Sequence, residues 1–125
     1  MAETSQEIVN KFCAAWSRRN IDEIIEFFSE DAEYLNVPTP PAAKGKEAIK
    51  KVINGFLPMA KGLEFKILHT AANGNVVFNE RVDIFDLGGG KKIELPVMGV
   101  FEVSDAKIAK WRDYFDMQMF TKQMG

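Results

Sequence analysis

Near Leu63 the apolar residues of this chain change from a helical period to a period of two, and that change restricts the fold to helices followed by a sheet. Before it, Ile8, Val9, Phe12, Cys13 and Trp16 fall on one helical face, with Thr4 and Glu7 spaced to form a capping box at its start. Asn20 reads as the N-cap of a second, short helix whose apolar stripe is Ile21, Ile24, Ile25 and Phe28. Asp31 to Val37 reads as extended. Val37-Pro38-Thr39-Pro40-Pro41 ends that segment, because proline fixes φ and offers no ladder donor. A third helix is expected from about Lys46 to Leu57, presenting Ala48, Ile49, Val52, Ile53 and Phe56 inward. Beyond it, Leu63, Phe65 and Ile67 alternate with polar partners, Val77 to Leu87 reads as a second strand, and Gly88-Gly89-Gly90 supplies the positive φ of a hairpin. Ile93, Leu95, Val97 and Gly99 mark a third strand, which Ser104-Asp105-Ala106-Lys107 turns into a fourth, Ile108 to Asp116. The layout is α+β, with an antiparallel sheet expected to curl around the helices and enclose an apolar pocket.

A chain of 125 residues has room for one sizeable core, so residues 1–125 are expected to form a single domain. Its 16 basic and 18 acidic side chains are interspersed, and a net charge of −2 gives no electrostatic reason to expect nucleic acid or an anionic membrane as a partner. No apolar run approaches a membrane span, and Met1 to Ser5 lacks the basic and apolar regions of a secretory leader. The lone Cys13 excludes an intramolecular disulfide and a cysteine-based zinc cage, which fits a reducing compartment; the cytoplasm is the expectation.

Charges inside the strands carry the chemistry. Residues 81, 83 and 85 share a face because the strand period is two, so if Phe85 faces the core, Arg81 and Asp83 do too. The same rule groups Trp111, Asp113 and Phe115, and it sets Tyr34 beside Asn36. Arg-x-Asp alone is equally compatible with a structural ion pair, and Tyr34 and Asn36 alone with a strand end and a turn. Asp113 has aromatic neighbours on its face, and a buried carboxylate requires a partner such as Arg81. Together the five polar groups converge on one pocket.

The segments Tyr34-Leu35-Asn36-Val37-Pro38, Asn79-Glu80-Arg81-Val82-Asp83, Met98-Gly99-Val100-Phe101 and Trp111 to Asp116, in this order and spacing, resemble the limonene-1,2-epoxide hydrolase family. The resemblance implies the α+β cone of nuclear transport factor 2, a curved mixed or antiparallel sheet wrapped around the N-terminal helices over a deep apolar pocket. It also implies a homodimer that hydrolyses epoxides without metal or cofactor. By this resemblance Asp113 takes a proton from water held by Tyr34 and Asn36, Asp83 protonates the oxirane oxygen, and Arg81 bridges the two carboxyl groups. Two nearby carboxyl groups cannot both ionise cheaply, so one proton is shared between them.

Trp16, Phe56, Phe85, Leu95, Val97, Phe115 and Phe120 are expected to wall the pocket, a lining that suits a small apolar epoxide, cyclic, terpene-like or aryl, with water as co-substrate. His69 lacks companions at metal-ligand spacing, so no metal site is expected, and Gly88-Gly89-Gly90 lacks the Lys and helix of a phosphate loop. The six Met residues read as adaptable packing and Cys13 as buried and inert. Two other readings fit such a fold: an isomerase of the ketosteroid type, which needs one base and an oxyanion donor but no Arg between two Asp, and a non-catalytic module that binds an apolar ligand.

Overall fold

The computed structural model describes residues 3–125; Met1 and Ala2, the first residues of the segment read for a leader, lie outside the described residues. Helix α1 (Ser5–Ala15) starts at the expected capping box: Glu7 N–H donates to Thr4 Oγ1 at 3.1 Å and Thr4 N–H to Glu7 Oε1 at 2.9 Å. A 3₁₀ turn, Trp16–Arg18, and Arg19 in the left-handed region at φ 53° then reverse the chain. Asn20 caps α2 (Ile21–Glu26) by accepting from the backbone of Asp22 and Glu23.

Phe28 does not extend the α2 stripe. It opens β1 (Phe28–Asn36), three residues before the expected start, because pairing with Ile108 gives it a fully buried place in the sheet. A two-residue strand β2 (Ala43–Lys44) precedes α3 (Lys46–Asn54), which is shorter than expected. Pro58 lacks the N–H needed to continue the ladder, so Leu57–Met59 forms a 3₁₀ turn instead. Ile49 and Ile53 of α3 are fully buried, whereas Val52, expected inside, is 40% exposed.

Strands β3 (Gly62–Asn73), β4 (Val76–Gly88), β5 (Lys91–Ser104) and β6 (Lys107–Tyr114) follow as antiparallel neighbours. The three glycines of the β4–β5 turn take φ of 82°, 63° and 82°, as their sequence requires. The sheet order is β2-β1-β6-β5-β4-β3, and β1 lies parallel to β6, so the sheet is mixed rather than antiparallel throughout. After Tyr114 the chain leaves the sheet two residues earlier than expected, and Asp116 caps a fourth helix, α4 (Met117–Met124), by accepting from Gln118 N–H at 2.9 Å.

Helix α1 packs into the concave face. Phe12 sits at the centre of a ring cluster with Trp16, Phe27, Phe28, Phe101 and Trp111, at centroid distances from 5.0 to 6.0 Å. Burial of such rings is the main source of stability here, at about 25 cal/mol per Å² of apolar surface. One end of the concave face is left open beneath α4, and this is where the polar strand residues meet. Among the described residues no helix is long and apolar enough to cross a membrane.

Candidate active site

Alternation along β4 buries Asn79, Arg81, Asp83 and Phe85 together, and these polar groups enter the core only because they satisfy one another. Register does the rest. Asn79 of β4 lies opposite Gly99 of β5, Gly99 opposite Asp113 of β6, and Asp113 beside Asn36 of β1, so one row across four strands carries much of the site. The long Arg81 side chain crosses that row where Gly99 has no side chain; a Cβ there would stand 2.3 Å from Arg81 Nη1 and 2.9 Å from Asn79 Oδ1.

All five guanidinium N–H groups of Arg81 are used. Nε and Nη2 donate to the two oxygens of Asp83 at 2.9 and 3.0 Å, and Nη1 and Nη2 donate to the two oxygens of Asp113 at 3.3 and 2.8 Å. The remaining Nη1 hydrogen goes to Asn79 Oδ1 at 3.1 Å, and Asn79 in turn donates to Cys13 Sγ of α1 at 3.6 Å. The guanidinium carbon lies 4.8 Å from the centroid of the Phe65 ring. Arg81 is fully buried, and Asp83 and Asp113 are each 4% exposed. Asp113 gains one more donor, the indole N–H of Trp111, at 2.6 Å.

Electrostatics follow from this burial. Desolvation raises the Asp83 pKa from the ordinary 3.8 to about 6, against the attraction of Arg81 and with help from the nearby Asp113 charge. Burial works against the charge of Arg81, but the two carboxyl groups hold its pKa well above the ordinary value. The Tyr34 phenol is pushed upward by burial and by the Asp113 charge, so it stays a neutral donor; its O–H donates to Asn36 Oδ1 at 3.1 Å. Burial pushes the Cys13 thiol up to about 12, which leaves it protonated and unreactive.

Asp83, Asp113, Tyr34 and Asn36 all line one cavity of about 250 Å³, with Arg81 directly behind the two carboxyl groups. Of the apolar residues expected in its wall, Phe56, Phe85, Leu95, Val97, Phe115 and Phe120 are there. Trp16 is not: it is fully buried one layer behind, stacked on Phe65 at 4.6 Å and on Phe56 at 6.0 Å, and it supports rings that do reach the cavity. Thr39, Met59, Phe65 and Met117 line the cavity without having been singled out from sequence. Phe65 was legible, since it shares the inward face of its strand with Leu63; Met59 lies in the 3₁₀ turn that replaces the expected end of α3, and Met117 in a helix hidden by the expected extension of β6 to Asp116. The roles of Asn79 and Gly99 had one signal, a glycine within a strand, which marks a close approach by another group. Among the described residues no group of three or more His, Cys, Asp or Glu side chains is placed to hold a metal ion.

The arrangement is a buried cation joined to two carboxyl groups, one of which retains its proton to near neutral pH, facing an apolar cavity with a phenol and an amide at its side. It can donate a proton at one point and accept one at another.

Residues 3–125 match the family model described as the limonene-1,2-epoxide hydrolase catalytic domain. The chain is 32% identical over 111 residues to epoxide hydrolase EphG of Mycobacterium tuberculosis, spanning 87% of this chain and 71% of that protein. Among solved structures it is similar to a limonene-epoxide-hydrolase-like epoxide hydrolase of M. tuberculosis, with a TM-score of 0.80 and 30% identity over 98% of this chain and 91% of that one. A SnoaL-like protein from Shewanella denitrificans superposes with a TM-score of 0.85 over 96% of both chains at 15% identity, which shows a common fold.

Proposed function

This chain belongs to the limonene-1,2-epoxide hydrolase family, and on that premise we propose that it is an epoxide hydrolase that converts a small apolar epoxide, cyclic, terpene-like or aryl, into a vicinal diol in one step. The observation that carries the proposal is the pair Asp83 and Asp113, held by the one guanidinium of Arg81 and both opening onto the apolar cavity.

In the reaction, Asp113 takes a proton from water while the water oxygen attacks an oxirane carbon. The C–O bond of the ring breaks, and Asp83 gives its proton to the departing oxygen. No covalent enzyme intermediate forms, and ring strain supplies much of the driving force. Each proton transfer of this kind contributes about 10²- to 10⁴-fold. Tyr34 and Asn36 hold the water: the phenol spends its hydrogen on Asn36 Oδ1 and keeps its lone pairs, while the Asn36 amide keeps N–H donors. Afterwards Asp83 is ionised and Asp113 protonated, so one proton returns to Asp83 before the next cycle. The raised pKa of Asp83 supports its role as acid, since a carboxyl group at an ordinary value would hold almost no proton near neutrality.

The cavity volume lies just under the ~300–1,000 Å³ common for small-molecule sites, which favours a compact substrate. No cofactor or metal has a step in this scheme. A single domain acting as a homodimer in the cytoplasm completes the proposal, on the strength of the family resemblance and the unpaired Cys13.

Diol formation from limonene oxide, cyclohexene oxide and styrene oxide by EDTA-treated protein tests it. Turnover of at least one epoxide, abolished by Asp83→Asn and by Asp113→Asn with the fold retained, is expected. Turnover surviving either substitution, or no diol from any epoxide, overturns it.

A further inference from the structure

Two identical side chains with opposite tasks raise the question of what tells them apart. Arg81 does not: it gives two hydrogen bonds to Asp83 and two to Asp113, and its fifth donor goes to Asn79. Burial does not either, since both residues are 4% exposed. Among the described hydrogen bonds to these carboxyl groups, the asymmetry is the 2.6 Å bond from Trp111 Nε1 to Asp113 Oδ1. A donor favours the charged form of the group that accepts it, and a short bond in a dry site does so strongly. The titratable groups that face the pair from neighbouring elements are Arg81, Tyr34 of β1 and Cys13 of α1; burial keeps the last two neutral, so neither can compensate for the loss of that donor.

We propose that Trp111 is a positioning residue that decides which carboxyl group is acid and which is base: its indole N–H holds the negative charge on Asp113 and thereby leaves the shared proton on Asp83. The assignment rests on the acid and base roles proposed above. Trp111 itself is kept in place by its rings, stacked on Tyr34 at 4.1 Å and edge-on to Phe12 at 5.0 Å, so the N–H points at Asp113 with little freedom to turn. The parallel pairing of β1 with β6, which sets Tyr34 beside Trp111, is what builds this clamp.

The test reads proton location directly, by NMR of carboxyl-labelled aspartate with signals assigned through Asp83→Asn and Asp113→Asn. Three proteins are compared: the native chain, Trp111→Phe, and a chain with benzothienylalanine at position 111, which keeps the bicyclic shape and lacks only the N–H. Where the pair holds one proton, the native Asp83 signal should report the proton and the Asp113 signal the charge. In both variants the proton should be divided between the two residues, with kcat/KM lowered about 10-fold or more, the worth of one hydrogen bond to a charged group. If Trp111→Phe does not fold, the isosteric variant decides. A proton that stays wholly on Asp83 in a folded variant, or one found on Asp113 in the native chain, overturns the assignment. These signals need no substrate, so a native chain without epoxide turnover would refute the proposed reaction while leaving the role of Trp111 to be settled by NMR.

Discussion

A carboxyl group needs a reason to keep a proton near neutral pH, and at Asp83 the reason is charge balance in a dry place. With both carboxyl groups ionised, the buried cluster of Arg81, Asp83 and Asp113 carries one net negative charge; with one proton retained it is neutral. Desolvation therefore lifts Asp83 to about 6, and this sets the pH dependence of the proposed reaction. The acid form falls about tenfold for each pH unit above that value, so kcat/KM, which reports the free protein, should decline on the alkaline side from about pH 6 with unit slope. A pH–rate profile with a small apolar epoxide checks this, and a rate that is flat from pH 6 to 9 would contradict Asp83 as the proton donor. At this scale the sequence was informative because a strand places every second side chain on one face. That rule grouped Arg81 with Asp83, Trp111 with Asp113, and Tyr34 with Asn36. It could not reveal that Arg81 reaches across to Asp113 or that Asn79 donates to Cys13, since those bonds depend on which elements become neighbours.

Elements whose ends are fixed by local chemistry were legible, and those fixed by distant partners were not. The capping box at Thr4 and Glu7, the Asn20 cap and the glycine turn after β4 appear where their residues require. The parallel alignment of β1 with β6 had no local signature, because it is set by how the chain returns after three hairpin-linked strands. Helix α4 did have one, Asp116 as cap followed by Met117, Phe120 and Met124 at helical spacing, and it was hidden by extending β6 to Asp116. No α4 residue is fully buried, so packing alone holds this helix weakly over the cavity. Gln123 supplies a latch: its amide accepts from Glu94 N–H at 2.7 Å and donates to Glu94 C=O at 2.9 Å, imitating a neighbouring strand along the part of β5 that β6 does not reach. Gln123→Ala should speed amide hydrogen exchange in α4 and at Glu94 by about 10-fold while leaving β6 unchanged, because two partly solvated hydrogen bonds are worth about 1–2 kcal/mol locally. Exchange in α4 that is unaltered would mean that Phe120 and Met124, packed against the core, hold the helix by themselves.

In the molecule as a whole, the site and the core are one structure joined at Arg81. From β4 its side chain reaches Asp113 on β6, lies over Phe65 of β3, passes the bare backbone of Gly99 on β5, and connects through Asn79 to Cys13 of α1. Removing it leaves two buried carboxyl groups facing each other and Asn79 without its donor. Breaking a buried ion pair by deleting one partner costs about 3–5 kcal/mol, and in a domain of this size each kcal/mol lowers Tm by roughly 3–5 °C. Arg81→Ala should therefore melt about 10–20 °C below the native chain. Arg81→Lys keeps the charge, but a single ammonium group cannot replace a planar fork with five donors, so it should fall between the two. Asp83→Asn provides the contrast, because it leaves Arg81 and Asp113 as a balanced pair and should melt close to the native temperature even though the proposed reaction is lost. If thermal unfolding placed Arg81→Ala within a few degrees of Asp83→Asn, the guanidinium would be an accessory of the site rather than the link between sheet, helix and cavity; the expected wide gap would mean that this fold cannot discard its buried cation without loosening its core.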